Sequence, residues 1–178
     1  MPSKARAPRP LRLDRERFAQ VERLAFHEIT NALLLGNMEL QRAFGLRAEE
    51  FQIFFLIVMT TAQRYVRGAP LDSPLIDRTP LRWEDCRAIS RRRIAETLGI
   101  PAETVRRHVA NLMERCLVVE RGRGQIANPP GVLARLSAEG KTVHLAQQHL
   151  ALTKALLKLG VLSDLRPAPE EGPPRPDS

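Results

Sequence analysis

The stretch from Ser90 to Leu112 constrains this fold more than any other part of the chain: SRRRIAETLGIPAETVRRHVANL. It predicts two short helices joined by a tight turn, the first over 91–98 and the second over 102–116. Ser90 has a hydroxyl that accepts from the free N–H groups of a first helical turn. Gly99 stands where the chain must leave the first helix with positive φ, which glycine does without strain. Ala95 is small where two crossing helices come close. Ile94, Leu98, Ile100, Val105, Val109 and Leu112 supply one apolar seam. Residues of this kind at this spacing make a helix-turn-helix, whose second helix fits the DNA major groove.

At about 100° per residue, Val105, Val109, Leu112 and Cys116 fall within a narrow sector of the second helix, its core face. Glu103, Arg107 and Glu114 lie opposite, with Arg106, Ala110 and Asn111 on the flanks. The N-terminal, outward end therefore offers Glu103, Thr104, Arg106 and Arg107, where a recognition helix meets base edges. Arginine bonds guanine in bidentate fashion, and glutamate accepts from cytosine N4. The alternative is an ordinary solvated face. After it, Leu117–Glu120 is a β-prone run, Arg121–Gly124 a glycine-rich turn and Gln125–Asn128 a returning strand. Such a hairpin over 118–128 is the wing of a winged helix. Arg121 and Arg123 at its tip would reach a phosphate backbone or a minor groove.

Residues 90–128 resemble the winged helix-turn-helix of bacterial transcription regulators. The run Glu103-Thr104-Val105-Arg106-Arg107 is similar to the recognition helix of the cyclic-AMP receptor protein family. The resemblance implies that Glu103 and Arg107 read bases and that Thr104 holds a phosphate. Where that family carries a further arginine before the glutamate, this chain has Ala102. Where the family has glycine, it has Cys116. With Ser90, Arg91 and Arg92 at the start of the first helix and Asn111 on the second, the candidate DNA contacts are Ser90, Arg91, Arg92, Glu103, Thr104, Arg106, Arg107, Asn111, Arg121 and Arg123.

The charge distribution points the same way. The chain has 178 residues and a formal net charge of +8, which favours a polyanionic partner. Residues 87–123 carry nine basic groups against four acidic, and residues 1–12 four against none, whereas 13–86 are slightly acidic. Arginine outnumbers lysine, as suits nucleic-acid contacts. Two cysteines, Cys86 and Cys116, are too few for a disulfide scaffold and read as small, partly buried side chains. The basic, proline-containing N-terminus lacks the apolar stretch of a signal peptide. The longest apolar run, 53–59, is far short of the ~20 residues of a membrane span. A cytoplasmic, nucleoid-associated protein is expected.

The expected fold is mainly α: a winged helix-turn-helix with flanking terminal helices and a small β-hairpin. Residues 1–12 read as a disordered basic arm and 13–46 as a helical dimerisation region. Residues 47–130 form the DNA-binding domain, 131–162 a C-terminal helical region and 163–178 a disordered proline-rich tail. Within these, helices are expected over 14–44 (broken near Gly36-Asn37), 47–67 and 137–159, the last capped by Ser137. A loop is expected over 68–82 and a first short strand over 87–89. A winged helix takes the helix before it into its core, which leaves the stripes of 14–44 and 137–159 without a partner there. Packing across a two-fold axis is the economical solution; packing within the chain is the alternative. That layout resembles the MarR family in architecture.

No reactive constellation assembles. His27, His108, His144 and His149 are scattered, and no P-loop, dinucleotide fingerprint or nucleophile elbow is present. His108 reads as a packing or phosphate-contact residue. The expectation is a homodimeric, sequence-specific regulator binding double-stranded DNA at an inverted repeat, with no catalysis, cofactor or metal. The alternatives are a winged-helix protein-interaction module and a replication or partition protein binding repeated sites.

Overall fold

The computed structural model describes residues 11–66 and 83–164. Residues 1–10 of the expected arm, the expected loop over 68–82 and residues 165–178 of the expected tail lie outside the described residues. The protein is mainly helical with small antiparallel sheets, and no helix among the described residues is long and apolar enough to cross a membrane. The chain divides into two compact units. Met38–Thr142 forms a central unit, and the segments before and after it form a terminal unit.

Two long helices, α1 (Arg15–Phe44) and α2 (Ala48–Val66), precede a 3-10 turn at Trp83–Asp85 and strand β2 (Ile89–Ser90), numbered after β1 (Leu11–Leu13). Helices α3 (Arg91–Leu98) and α4 (Ala102–Glu114) follow, then β3 (Val119–Glu120) and β4 (Gln125–Ala127). α5 (Ala134–Ala138), α6 (Lys141–Lys158) and β5 (Leu162–Asp164) complete the chain.

The core of the central unit follows from the spacing in α2. Phe51, Phe54 and Val58, with Ile53 and Ile57 beside them, turn one broad face inward against Ile94, Val105, Val109 and Leu112 of α3 and α4. Phe44 and Phe54 meet with ring centroids 4.6 Å apart. β2, β4 and β3 form a sheet in that order, all neighbours antiparallel, with Ile89 opposite Ile126 and Val119 opposite Ala127. Ile126 is fully buried. Asn128 closes this layer. It is 3% exposed, its side-chain Nδ2 donates to the Leu117 carbonyl at 2.8 Å, and its amide approaches the Thr61 hydroxyl at 3.4 Å. A buried amide needs such partners, and together they tie the C-terminal end of α2 to the strands.

α4 stops at Glu114, two residues before the expected end. Cys116 N–H bonds the Met113 carbonyl and Leu117 N–H bonds the Leu112 carbonyl, both at 2.9 Å. This is the 5→2 and 6→1 pair of a Schellman ending. It requires a left-handed residue, and Cys116 takes φ +55°, the one non-glycine residue among those described to do so. Cys116 is also exposed rather than partly buried; Cys86 is buried. A side chain in this conformation costs about 1 kcal/mol relative to glycine. Cys116→Gly should therefore raise the urea midpoint, by about 0.5–1 kcal/mol of stability, with an unchanged m-value. A lower midpoint would show that the cysteine side chain contributes packing that outweighs the strain.

The terminal unit is built differently. Asp14 caps α1, its carboxylate accepting from Arg17 N–H at 2.8 Å, and α1 has a kink at Val21. The expected break at Gly36-Asn37 does not occur, although the boundary between units falls there. One glycine costs a helix about 1 kcal/mol, and the leucines and Met38 around it propagate well. The expected start at Ser137 is displaced. Ser137 lies inside α5, Gly140 at φ +69° ends that turn, and α6 begins at Lys141. Residues 11–12 and 163–164, expected within the unstructured arm and tail, belong to an antiparallel ladder in which Leu11 faces Asp164 and Leu13 faces Leu162. Arg17 reinforces it, donating from Nε to the Leu159 carbonyl at 2.9 Å.

Among the described residues of this unit Ala25 and Val161 are the fully buried hydrophobic ones, whereas Leu24, Phe26, Leu33, Leu34, Leu35, Val143, Leu150 and Leu157 are exposed. At about 100° per residue, Leu24 and Leu35 share one flank of α1, Phe26 and Leu33 the opposite flank, and Leu34 lies away from Ala25. Apolar side chains thus stand on several flanks of α1, with His27, Glu28, Thr30 and Asn31 between them.

Candidate nucleic-acid interface

Local rules set the frame of the site. The Ser90 hydroxyl accepts from Arg93 N–H at 3.1 Å and so caps α3. Gly99 ends α3 at φ +64°, its N–H returning to the Ala95 carbonyl. Three residues later α4 begins after Pro101, with Glu103 in its first turn, where the helix dipole favours a negative charge. Val105, Val109 and Leu112 are fully buried, which fixes the rotation of α4 about its axis.

Glu103, Arg106, Arg107, Ala110 and Asn111 are consequently exposed, with Thr104 half-buried. Glu103 and Arg106 form a two-point pair at 2.6 and 2.8 Å. The hydrogen bonds from Arg106 hold the Glu103 carboxyl below its usual range, and the same bonds raise Arg106. Arg107 and Asn111 make no side-chain hydrogen bond or ion pair among the described residues. His108 turns inward instead, its Nε2 2.9 Å from Glu49 Oε2 and its Nδ1 buried without a partner.

The remaining candidates divide by how firmly they are held. Arg92 lies on the surface with Glu96 at 2.8 Å, and that bond lowers the glutamate. Arg91 reaches across to Glu120 at 2.8 Å; Glu120 also accepts from Gly124 N–H at 2.8 Å. The Arg91 bond first, and the Gly124 N–H second, depress the Glu120 carboxyl. Arg91 thus braces the β3–β4 turn from α3. Arg121 is folded back. Its guanidinium donates to the carbonyls of Trp83 and Cys86, the latter at 2.9 Å, and stands 5.3 Å from the centre of the Trp83 ring. It anchors the β3 side of the turn, and Arg123 is an exposed cation of the tip.

Two residues of this surface were not visible as such in the sequence. Trp83 seats Arg121 from a position 38 residues away. Arg47, in the turn between α1 and α2, lines a groove together with Arg107 and Asn111. Nothing in its linear surroundings, which are rich in glutamate, marks it. No protein-family model matches the chain, and no curated protein and no solved structure matches it.

Proposed function

We propose that this chain is a sequence-specific regulator of transcription that binds double-stranded DNA through a winged helix-turn-helix. α4 is the recognition helix, β3–β4 the wing, and the protein has no catalysis of its own. The observation that carries the reading is the outer face of α4. Its buried side is locked into the core, and Arg107 stands exposed, without a hydrogen bond or ion pair among the described residues, at its N-terminal half beside Glu103 and Arg106. A rigid helix with a free guanidinium on its outer face is what bidentate reading of guanine requires. Thr104, Arg92, Arg106 and Arg123 supply phosphate contacts. Ser90, Arg91 and Arg121 act by holding α3 and the wing in place. The localisation that follows is the nucleoid.

Arg107→Ala tests the assignment. It should cost about 1–3 kcal/mol on the preferred site and blur discrimination at one or two base pairs. Equal losses on specific and random duplex would remove Arg107 from the base readers. A genome-wide map of bound fragments separates the neighbouring reading: isolated sites beside promoters fit a regulator, clustered repeats a replication or partition protein.

The regulator acts as a homodimer. The specific support is the terminal unit, which leaves α1 apolar on several flanks and, among the described residues, encloses few side chains of its own. Apolar side chains on several flanks of one helix favour burial against another helix, and residues 24–38 carry one carboxylate, Glu28, and no lysine or arginine. A second copy therefore meets this surface without like-charge repulsion.

A further inference from the structure

The groove that contains Arg47 is a feature the function so far does not use. It is about 620 Å³ in volume and lies between the α1–α2 turn and the C-terminal half of α4. Arg107, Asn111 and Glu114 enter it from α4 at helical spacing i, i+4 and i+7, so it opens along the same face that carries the proposed base reader. Arg47 enters from the turn, held there by Gly45 at φ +58° and by Arg115, which donates to the Gly45 carbonyl at 3.2 Å and to the Phe44 carbonyl. Glu50 also lines the groove, but it is buried and lies 4.0 Å from the Arg115 guanidinium, so these two charges offset each other. Arg47 and Arg107 remain, without side-chain partners among the described residues, against the exposed carboxylate of Glu114; the Glu49 carboxylate is held at 2.9 Å by His108, which also lines the groove.

We propose that this groove seats a backbone phosphodiester of the bound duplex, with Arg47 and the Asn111 amide as its donors. The inference rests on the DNA-binding reading and extends it to a second element of the fold. An arginine fork matches two phosphate oxygens at once, and a side-chain amide adds a third donor. A helix lying in the major groove has a phosphate chain on either side, so a basic turn flanking the exposed stripe of α4 meets one of them. Such a contact positions the protein and carries no sequence information.

The experiment is fluorescence anisotropy of the full chain on its preferred duplex and on random duplex across a KCl series, with wild type, Arg47→Ala, Arg47→Lys and Asn111→Ala. Arg47 is exposed, so thermal melting should be unchanged in both Arg47 variants. Arg47→Ala should weaken both duplexes by the same factor, about tenfold. It should also flatten the log–log salt slope by ~0.9 per bound copy. Arg47→Lys should keep the slope, and the preferred sequence should not change. A wild type with a steep slope and an Arg47→Ala with the same slope would overturn the phosphate site and leave DNA binding standing. A wild type without salt-dependent binding would overturn both. An NMR titration with inorganic phosphate is the third arm. Saturable shifts at Arg47 and Asn111, with DNA affinity unaffected by Arg47→Ala, would assign the groove to a small anion instead.

Discussion

Affinity for duplex DNA should fall about a thousandfold between 50 and 200 mM salt. Without the Arg47 contact inferred above, three exposed guanidinium groups per copy, those of Arg92, Arg106 and Arg123, are placed to neutralise phosphates; a dimer brings six. At ~0.9 counterions released per phosphate the log–log slope is about −5 or steeper, which gives that loss over a fourfold rise in salt. Arg92 and Arg106 hold glutamates in the free protein at 2.8 and 2.6 Å. Exposed pairs of this kind are worth about 0–1 kcal/mol, little enough for a phosphate to displace the carboxylate. Arg91 and Arg121 are excluded from the count because carboxylate and carbonyl partners hold them in place. Anisotropy at a series of salt concentrations reads the slope directly. A slope near zero, or no binding of duplex at all, would end the DNA-binding reading.

The double substitution Phe26→Glu with Leu33→Glu should turn a dimer into a monomer of 20.1 kDa. The two side chains share one flank of α1 and are 62% and 63% exposed. Burial is worth about 1.5–3 kcal/mol for a whole large apolar side chain. Recovering the exposed part of both amounts to about 2–4 kcal/mol per copy and about 4–8 kcal/mol for the two copies of a homodimer, about three to six orders of magnitude in the dimer dissociation constant. Burying two carboxylates per copy in their place adds to the loss. Because both sites are open in the single chain, helicity and the melting of the central unit should survive. Light scattering at micromolar concentration decides. Wild type that is already a monomer, on DNA as well as off it, would refute the dimer. On DNA the dimer should recognise an inverted repeat whose half-site centres lie about 34–36 Å apart or a multiple of that, and the double variant should lose the cooperative half of that affinity.

Much of the central unit was legible in the residues themselves. α3 begins and ends where Ser90 and Gly99 say, and α2 and both strands of the β3–β4 hairpin fall within a residue or two of the expected bounds. Caps, turns and apolar periods act within one or two turns of chain, so the information is local. The faces of α4 were legible for the same reason, since a 3.6-residue period assigns them once a few buried positions are known. The end of α4 was not. The glycine that marks such an ending is replaced by Cys116, and only the two hydrogen bonds that close over it show that the left-handed turn is kept.

What only the tertiary structure decided is which charges are free. The sequence presents Arg91, Arg92, Arg106, Arg107, Arg121 and Arg123 as equivalents. The fold joins Arg91 to Glu120 and Arg121 to the Trp83 backbone, and it brings Arg47 beside Arg107 across 60 positions. It also pairs Leu11–Leu13 with Leu162–Asp164, two three-residue segments too short for any periodic signal. Each of these is a contact between residues far apart in the chain. Local propensity carries no record of such a partner, because the partner's position is fixed by the packing of whole elements rather than by any neighbouring residue.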